Sequence, residues 1–443
     1  MSQLLTTKFV AKSLAATVSV LMLSTVANAA TAEQKQIQQL RQEVETLKTL
    51  IQQQQQVQLQ QASQIAQVKA APQSGLAGLK SKAGADVNLY GFVRADANYI
   101  LDGADEDFSN VKGTNGDVKD KLNATLKTTR LGLDFKTNVE GADVGGKVEV
   151  DFAGTNDSVR IRHAYLTYNN WLVGQTTSNF LGGYSPEMID FSTNVGTGTN
   201  RLPQVRYSVN ATPTTKLIFS AEEGGSKGIS GSKAIYSVDA NKDLVTTNVD
   251  TSTTKYVAPV LTAKVVQNFT GGSASARAFV EHYKDETARD DKMGYGVAAG
   301  VGFNPIEPLQ LVADVSYVKG NSNYLIGSND AYEIVDGNIE QNEAVAANIG
   351  ATYRISPKLR TTLAYGTIIA DDGTKFAKAN GGAKFAKANG GANERLSQAW
   401  VNFIYSPVKP IDFGIEYVKG DRKTFSGEKH DDDRVGLMAK YNF

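Results

Sequence analysis

From Asp86 onward the chain alternates apolar and polar side chains with a period of two. Leu89, Gly91, Val93, Ala95 and Ala97 interleave with Tyr90, Phe92, Arg94, Asp96 and Asn98, which puts the two sets on opposite faces of a strand. Similar runs recur at 122–137, 143–154, 158–170, 171–178, 200–210, 214–223, 253–268, 273–285, 291–304, 307–319, 342–356, 358–370, 394–406, 409–421 and 431–443. The connections between them sort by length. Short ones such as Asn169-Asn170, Thr270-Gly-Gly272 and Ser356-Pro357 alternate with long polar segments at 102–121, 179–199, 224–252, 320–341 and 371–393. A soluble sandwich has no reason to sort its loops this way. A membrane barrel does, with tight turns on one rim and long loops on the other. The expected fold is an all-β transmembrane barrel of about 16 antiparallel strands.

Before the barrel the period is helical. Ile37, Val44, Ile51 and Ile65 share one heptad position and Leu40, Leu47 and Val68 the other, with Gln54, Gln58 and Gln61 interrupting. This predicts an N-terminal α-helical coiled coil over about 30–70, and its apolar seam calls for partner chains. Residues 71–86, opening Ala71-Pro72-Gln73-Ser74-Gly75, read as a linker to a barrel over 87–443. Residues 1–29 read as a secretory signal. Lys8 and Lys12 form its basic end, Leu14 to Val26 its apolar run, and Ala27-Asn28-Ala29 its cleavage site. The chain closes on Phe443, and a terminal aromatic strand suits a bacterial outer-membrane barrel. The coil would then lie in the periplasm.

Composition narrows the chemistry. Lysine plus arginine equals aspartate plus glutamate at 46 each, so bulk charge argues neither for nucleic acid nor for a polybasic anchor. Zero cysteines exclude disulfides and thiolate metal sites. No cofactor is expected.

Charges on strands that should otherwise avoid them are the candidates for function, because a lipid-facing charge at mid-membrane costs roughly 2–4 kcal/mol. Arg94 and Asp96 share a face of the first strand. Arg130 lies opposite Leu131 and Leu133. Arg160 and Arg162 share a face of the fourth strand, with Ile161 and His163 on the other. Arg206 sits in the sixth strand and Arg201 at its entry. Such arginines can form an anion ladder, their planar forks suiting carboxylates. Lys147, Glu149 and Asp151 line one face of the third strand. They either oppose the ladder across the pore or neutralise it by pairing with Arg160 and Arg162. Residues 179–199, with Gly182-Gly183, Pro186, Glu187 and Asp190, have the length and position of a loop folded into the lumen.

Tyr90-Gly-Phe-Val-Arg94-Ala-Asp96, Arg130-Leu-Gly-Leu133, Arg160-Ile-Arg-His-Ala-Tyr165, Gly174-Gln175-Thr176 and Gln204-Val-Arg-Tyr207, in this order, resemble the DcaP-like porins. The resemblance implies a homotrimer of sixteen-stranded barrels, a periplasmic coiled coil and uptake of small dicarboxylic acids. It makes Arg94, Arg130, Arg160, Arg162 and Arg206 pore residues. Thr177 departs from it where related sequences often carry an aromatic.

Other readings are a general or sugar-type porin, a structural barrel anchoring the coil, and an enzyme. Sugar paths favour aromatic linings, and the inward candidates Tyr90 and Phe92 are few. The enzyme reading is the weakest. Gly224-Gly-Ser226-Lys-Gly228 matches a nucleophile-elbow string with no helix after it. His163, His282 and His430 have no catalytic or metal spacing.

Overall fold

The computed structural model describes residues 79–443 except 83, 117, 225–232, 239–243, 250–253, 336 and 382–390. The signal sequence and coiled coil fall outside the described residues. The strands are β1 (Asp86–Gly103), β2 (Val118–Thr125), β3 (Arg130–Val139), β4 (Ala142–Asp151), β5 (Arg160–Tyr168) and β6 (Trp171–Thr177). They continue with β7 (Arg201–Asn210), β8 (Thr215–Glu222), β9 (Lys233–Val238), β10 (Leu244–Val249), β11 (Thr254–Tyr256) and β12 (Val260–Phe269). Then follow β13 (Gly272–Asp285), β14 (Asp290–Ile306), β15 (Leu309–Lys319), β16 (Tyr332–Val335), β17 (Asn338–Gln341) and β18 (Glu343–Ser356). The last are β19 (Leu359–Ala370), a short helix α1 (Lys375–Asn380), β20 (Asn393–Val408), β21 (Ile411–Thr424) and β22 (Lys429–Asn442).

The main sheet closes on itself. β1 pairs with β22 from Phe92↔Asn442 to Asp102↔Asp433, and Phe443 exchanges backbone hydrogen bonds with Gly91. Sixteen antiparallel strands make the wall. The eighteen segments of the sheet reduce to that number because two strands are each broken in two. β2 and β3 both pair with β1, separated by a turn in which the Thr129 N–H donates to the Leu126 carbonyl. β11 and β12 both pair with β13, with Pro259 in the gap where a ladder donor is missing. The period-two pattern had read 122–137 and 253–268 as single strands.

The two faces of this wall are inverted relative to a soluble protein. Leu131, Val148, Ile349, Leu363, Phe413 and Leu437 are exposed on the outside, while Arg94, Asp96, Glu149, Gln398 and Asn402 are buried within. Only a surround of lipid makes that arrangement favourable. Near the short turns the Trp171 and Tyr207 rings meet at a tilt, centroids 4.8 Å apart, with exposed Tyr168, Tyr353, Tyr405 and Tyr441 extending an aromatic girdle. No helix among the described residues is long and apolar enough to cross a membrane.

The long connections carry structure that polarity alone concealed. β9 and β10 form a hairpin within 224–252, and β16 and β17 another within 320–341. The sequence Lys-Phe-Ala-Lys-Ala-Asn-Gly-Gly-Ala stands twice in succession at 375–383 and 384–392, and the first six residues of the first copy form α1, capped by Thr374 and buried through Phe376.

Candidate functional site

The segment between β6 and β7 turns inward and lies against the inner wall. At its start the Ser178 hydroxyl and Asn179 N–H donate to Glu222 on β8, at 2.6 and 2.7 Å. Phe180 then packs on Phe279 and Tyr324, with ring centroids 4.7 and 5.2 Å away. Past Gly182 the segment crosses β14, whose inward positions are Gly294, Gly296, Ala298, Gly300 and Gly302. A Cβ at Gly300 would stand 2.5 Å from the Tyr184 ring, so the small residues create the track. Glu187 next takes a bidentate ion pair from Arg360 on β19, while its carbonyl accepts from Trp400 and Asn402 on β20 at 3.0 and 3.1 Å. The Ile189 and Asp190 N–H groups donate to Glu416 on β21, and Arg94 on β1 reaches the Ile189 carbonyl. Burial pushes the Asp190 carboxyl up to about 6, although the Ser109 N–H donates to it. The inward fold expected for 179–199 is what the structure shows.

The stretch of wall formed by β3–β7 has a different character. Glu149 and Asp151 on β4 are buried among three arginines. Arg160 holds Asp151 through two bonds of 2.9 and 2.7 Å. Arg162 bridges Glu149 at 2.7 Å and Asp151 at 3.0 Å, and Arg130 stands 3.4 Å from Glu149. Arg94 and Asp96 form their own buried pair at 2.8 Å. Acids and arginines are thus interleaved on one wall. They do not oppose each other across the pore, and of the two expectations for Glu149 and Asp151, neutralisation is the one realised.

Arg201 and Arg206 stand apart. Neither has a carboxylate at ion-pair distance among the described residues. Arg206 donates only to the Thr177 carbonyl, at 2.6 Å, and the Nε atoms of both are buried without a partner. Arg201 lies within the field of Arg162, Arg130 and Arg160. The structure therefore groups Arg130, Arg160, Arg162 and Arg201 together, with Arg206 five positions nearer the short turn.

His163 corrects strict alternation. β4 and β5 slip register between Glu149↔His163 and Val150↔Ile161, leaving Arg162 as the extra residue of a bulge. His163 consequently shares the inner face with Arg162. Its Nδ1 is 2.9 Å from the Thr176 hydroxyl and its Nε2 3.9 Å from Glu149. The sequence offered no sign of that slip.

Several inward charges escaped the sequence reading, among them Lys264, Arg277, Asp314, Arg360 and Lys440. Arg277 pairs with Asp314 through two bonds of 2.7 Å, and Lys440 with Asp412 at 2.8 Å. The same rule that selected Arg94 would have found them, since each is a charge on an alternating strand. Phe92, read as a rare inward aromatic, faces the lumen with the Arg130 guanidinium 5.0 Å from its ring. No cluster of metal-ligating side chains occurs among the described residues.

A family model described as the DcaP outer membrane protein matches residues 18–443. The chain belongs to that family. It is 55% identical to the outer membrane channel DcaP of Acinetobacter baumannii, over 83% of this chain and 100% of that one, with a TM-score of 0.74. More distant likenesses show the fold alone. OmpT of Vibrio cholerae is 14% identical over 82% and 99% of the two chains (TM-score 0.51). An anion-selective porin from Comamonas acidovorans is 12% identical over 81% and 100% (TM-score 0.53). No curated protein matches.

As a DcaP-type protein the chain is an outer-membrane channel and not an enzyme. The Gly-Gln-Thr phrase of β6 ends at Thr177, whose carbonyl holds Arg206 and whose chain leads directly into the inward loop. Threonine therefore stands at the hinge between wall and loop.

Proposed function

We propose that this DcaP-type channel passes small anionic solutes, dicarboxylic acids above all, through an arginine-lined constriction between the inward loop and the β3–β7 wall. One observation carries the reading. Arg94 cancels Asp96, and Arg130, Arg160, Arg162 and Arg201 share Glu149 and Asp151 among them, while Arg206 lies in the field of Glu222. Four cations less two anions leave a surplus of two positive charges in that cluster. The surplus draws anions by the local field. The guanidinium forks replace part of a carboxylate's hydration. Glu149 and Asp151 compete for the same forks, so an arriving carboxylate is held weakly enough to leave. Passage is passive and follows the concentration gradient, with no cofactor.

The assembly we infer is a homotrimer, with a cleaved signal sequence and the heptad segment forming a periplasmic coil. The coil seam supports this, since a lone helix would expose it. OmpT of Vibrio cholerae has a trimer form.

The test is single-channel current of the purified chain in a planar bilayer under a salt gradient, with succinate added to one side. Anion-selective reversal and succinate-induced blocking are expected, both weakened by Arg160→Ala with Arg162→Ala. Cation selectivity, or indifference to succinate and to the arginines, would leave a general porin.

A further inference from the structure

Below the paired arginines, toward the short-turn rim, two cations have no carboxylate at ion-pair distance among the described residues. Arg206 on β7 donates to the Thr177 carbonyl at 2.6 Å, and Lys264 on β12 donates to the Leu181 carbonyl at 2.7 Å. Leu181 belongs to the inward loop, and Thr177 is the last residue of β6, where the loop begins. β7 and β12 flank β8, with Arg206 opposite Ser220 and Lys264 opposite Ile218. Two strand spacings and a two-residue offset along β8 separate them, about 12 Å at the backbone, and long side chains close part of that gap.

Of the surrounding acids, one is neutralised by a cation and one is held by neutral donors. Asp314 is taken by Arg277 through two bonds of 2.7 Å. Glu222 accepts from Ser178, from the Asn179 N–H and from Tyr324. The partners of Glu222 are neutral and leave its charge uncancelled, so its field reaches both Arg206 and Lys264, and the two cations outnumber this one acid. Carbonyl oxygens solvate a cation but do not cancel its charge. Both side chains are only partly buried, so an anion in the lumen can reach them.

We propose that Arg206 and Lys264 form a second carboxylate-binding station, past the inward loop on the short-turn side, which receives a diacid leaving the Arg160–Arg162 cluster. The station rests on the anion-channel reading and extends it. A diacid spans two positive zones in sequence, so it need not lose all its charge-assisted hydrogen bonds at once, as a monoacid must. The paired arginines of the upper cluster are tuned for weak capture. The unpaired cations of the lower station then supply the pull that carries the solute through.

Planar-bilayer recordings of the full chain decide the matter, with succinate added to each side in turn. Lys264→Gln is expected to shorten blocking events about tenfold for succinate entering from the short-turn side, the weight of one charge-assisted hydrogen bond. Entry from the long-loop side should change less, and Lys264→Arg should restore the block. Arg206→Gln is the second variant should Lys264→Gln not fold, with heat-modifiable gel mobility reporting an intact barrel. Wild-type blocking by both Lys264→Gln and Arg206→Gln, with blocking lost only in Arg160→Ala/Arg162→Ala, overturns the station and leaves the channel reading standing. A change in conductance with reversal potential and block unchanged makes Lys264 a strut for Leu181 and also overturns it. A wild-type channel without anion selectivity removes the function reading, and the station with it.

Discussion

The barrel's inner surface has two territories built by opposite rules. From β13 round to β22, and on to Arg94 of β1, the wall is covered by the inward loop, and its inward positions are small residues or buried polar groups already satisfied by that loop. Glu416, Gln398 and Trp400 each bond the loop and are almost fully buried. From β3 to β7 the wall is bare of the loop, and there the chain places Arg130, Arg160, Arg162, Arg201 and Arg206. Arg160 has 47% of its side chain exposed. Covered polar groups hold the loop still, and uncovered ones remain available to a solute. A charge inside a barrel therefore says little about transport until its partner is known.

The sharpest way to break that contrast is to remove the acids from the bare wall. Glu149→Gln with Asp151→Asn leaves Arg130, Arg160 and Arg162 without counter-charges. Stripping one side of buried ion pairs costs about 3–5 kcal/mol when both partners are fully enclosed. With Arg160 half exposed, about 1–3 kcal/mol is expected here, read as a lower unfolding temperature of the barrel. Reversal potentials should move toward greater anion selectivity, and succinate blocks should lengthen. Unchanged selectivity would mean the acids do not temper the arginines.

The covered wall is attacked at its closest approach. A Cβ at Gly182 would overlap the Arg277 guanidinium and crowd Asp314, so Gly182→Val must lift the loop off its track. Overpacking of this kind costs about 1–3 kcal/mol. Single-channel conductance should rise and become noisier while the arginine cluster is untouched. A normal conductance would show that the loop tolerates displacement at Gly182.

How much of this division the sequence revealed depends on range. Alternation and loop sorting announced the barrel, because both follow from lipid outside and water inside. The inward loop was legible from its position and from its glycines and proline. The side-chain pairing was not. Whether Arg160 meets Asp151 depends on the register of two strands, and the bulge at Arg162, which turns His163 inward, leaves no mark in composition. The Glu187–Arg360 pair joins residues far apart in the chain through a path across the lumen, so periodicity could not suggest it. Arg360 and Lys264 were overlooked for a simpler reason. They stand singly on strands after β8, whereas the arginines before β8 cluster in sequence.

A smaller effect is expected from Glu187→Gln. The carboxylate holds Arg360 through bonds of 2.8 Å, but the Glu187 carbonyl keeps Trp400 and Asn402. The pair is about a third exposed, which places its worth near 1 kcal/mol. Conductance should fluctuate between two levels, with the mean little altered. A single stable level indistinguishable from wild type would assign the loop's hold to its backbone contacts alone.

The mildest prediction concerns the rim above the covered wall. Glu333 on β16 is half-buried near Asp330, and burial with that neighbouring charge pushes its carboxyl up to about 8, against a lowering contact from Asn380 of α1. A carboxyl raised in the folded state favours the fold while it is protonated. The stability it lends the β16–β17 hairpin is thus complete below the ordinary carboxylate range and is lost as pH rises through about 8. Hydrogen exchange of the Tyr332–Gln341 amides, corrected for intrinsic rates, should accelerate between pH 6 and pH 9. Glu333→Gln should abolish that dependence while Asp290, which accepts from the Ile339 N–H at 3.0 Å, continues to hold the hairpin. The transmembrane amides of β18 and β19 should show no such step in either protein. A wild-type hairpin equally protected at both values would place Glu333 in water rather than in the packed rim.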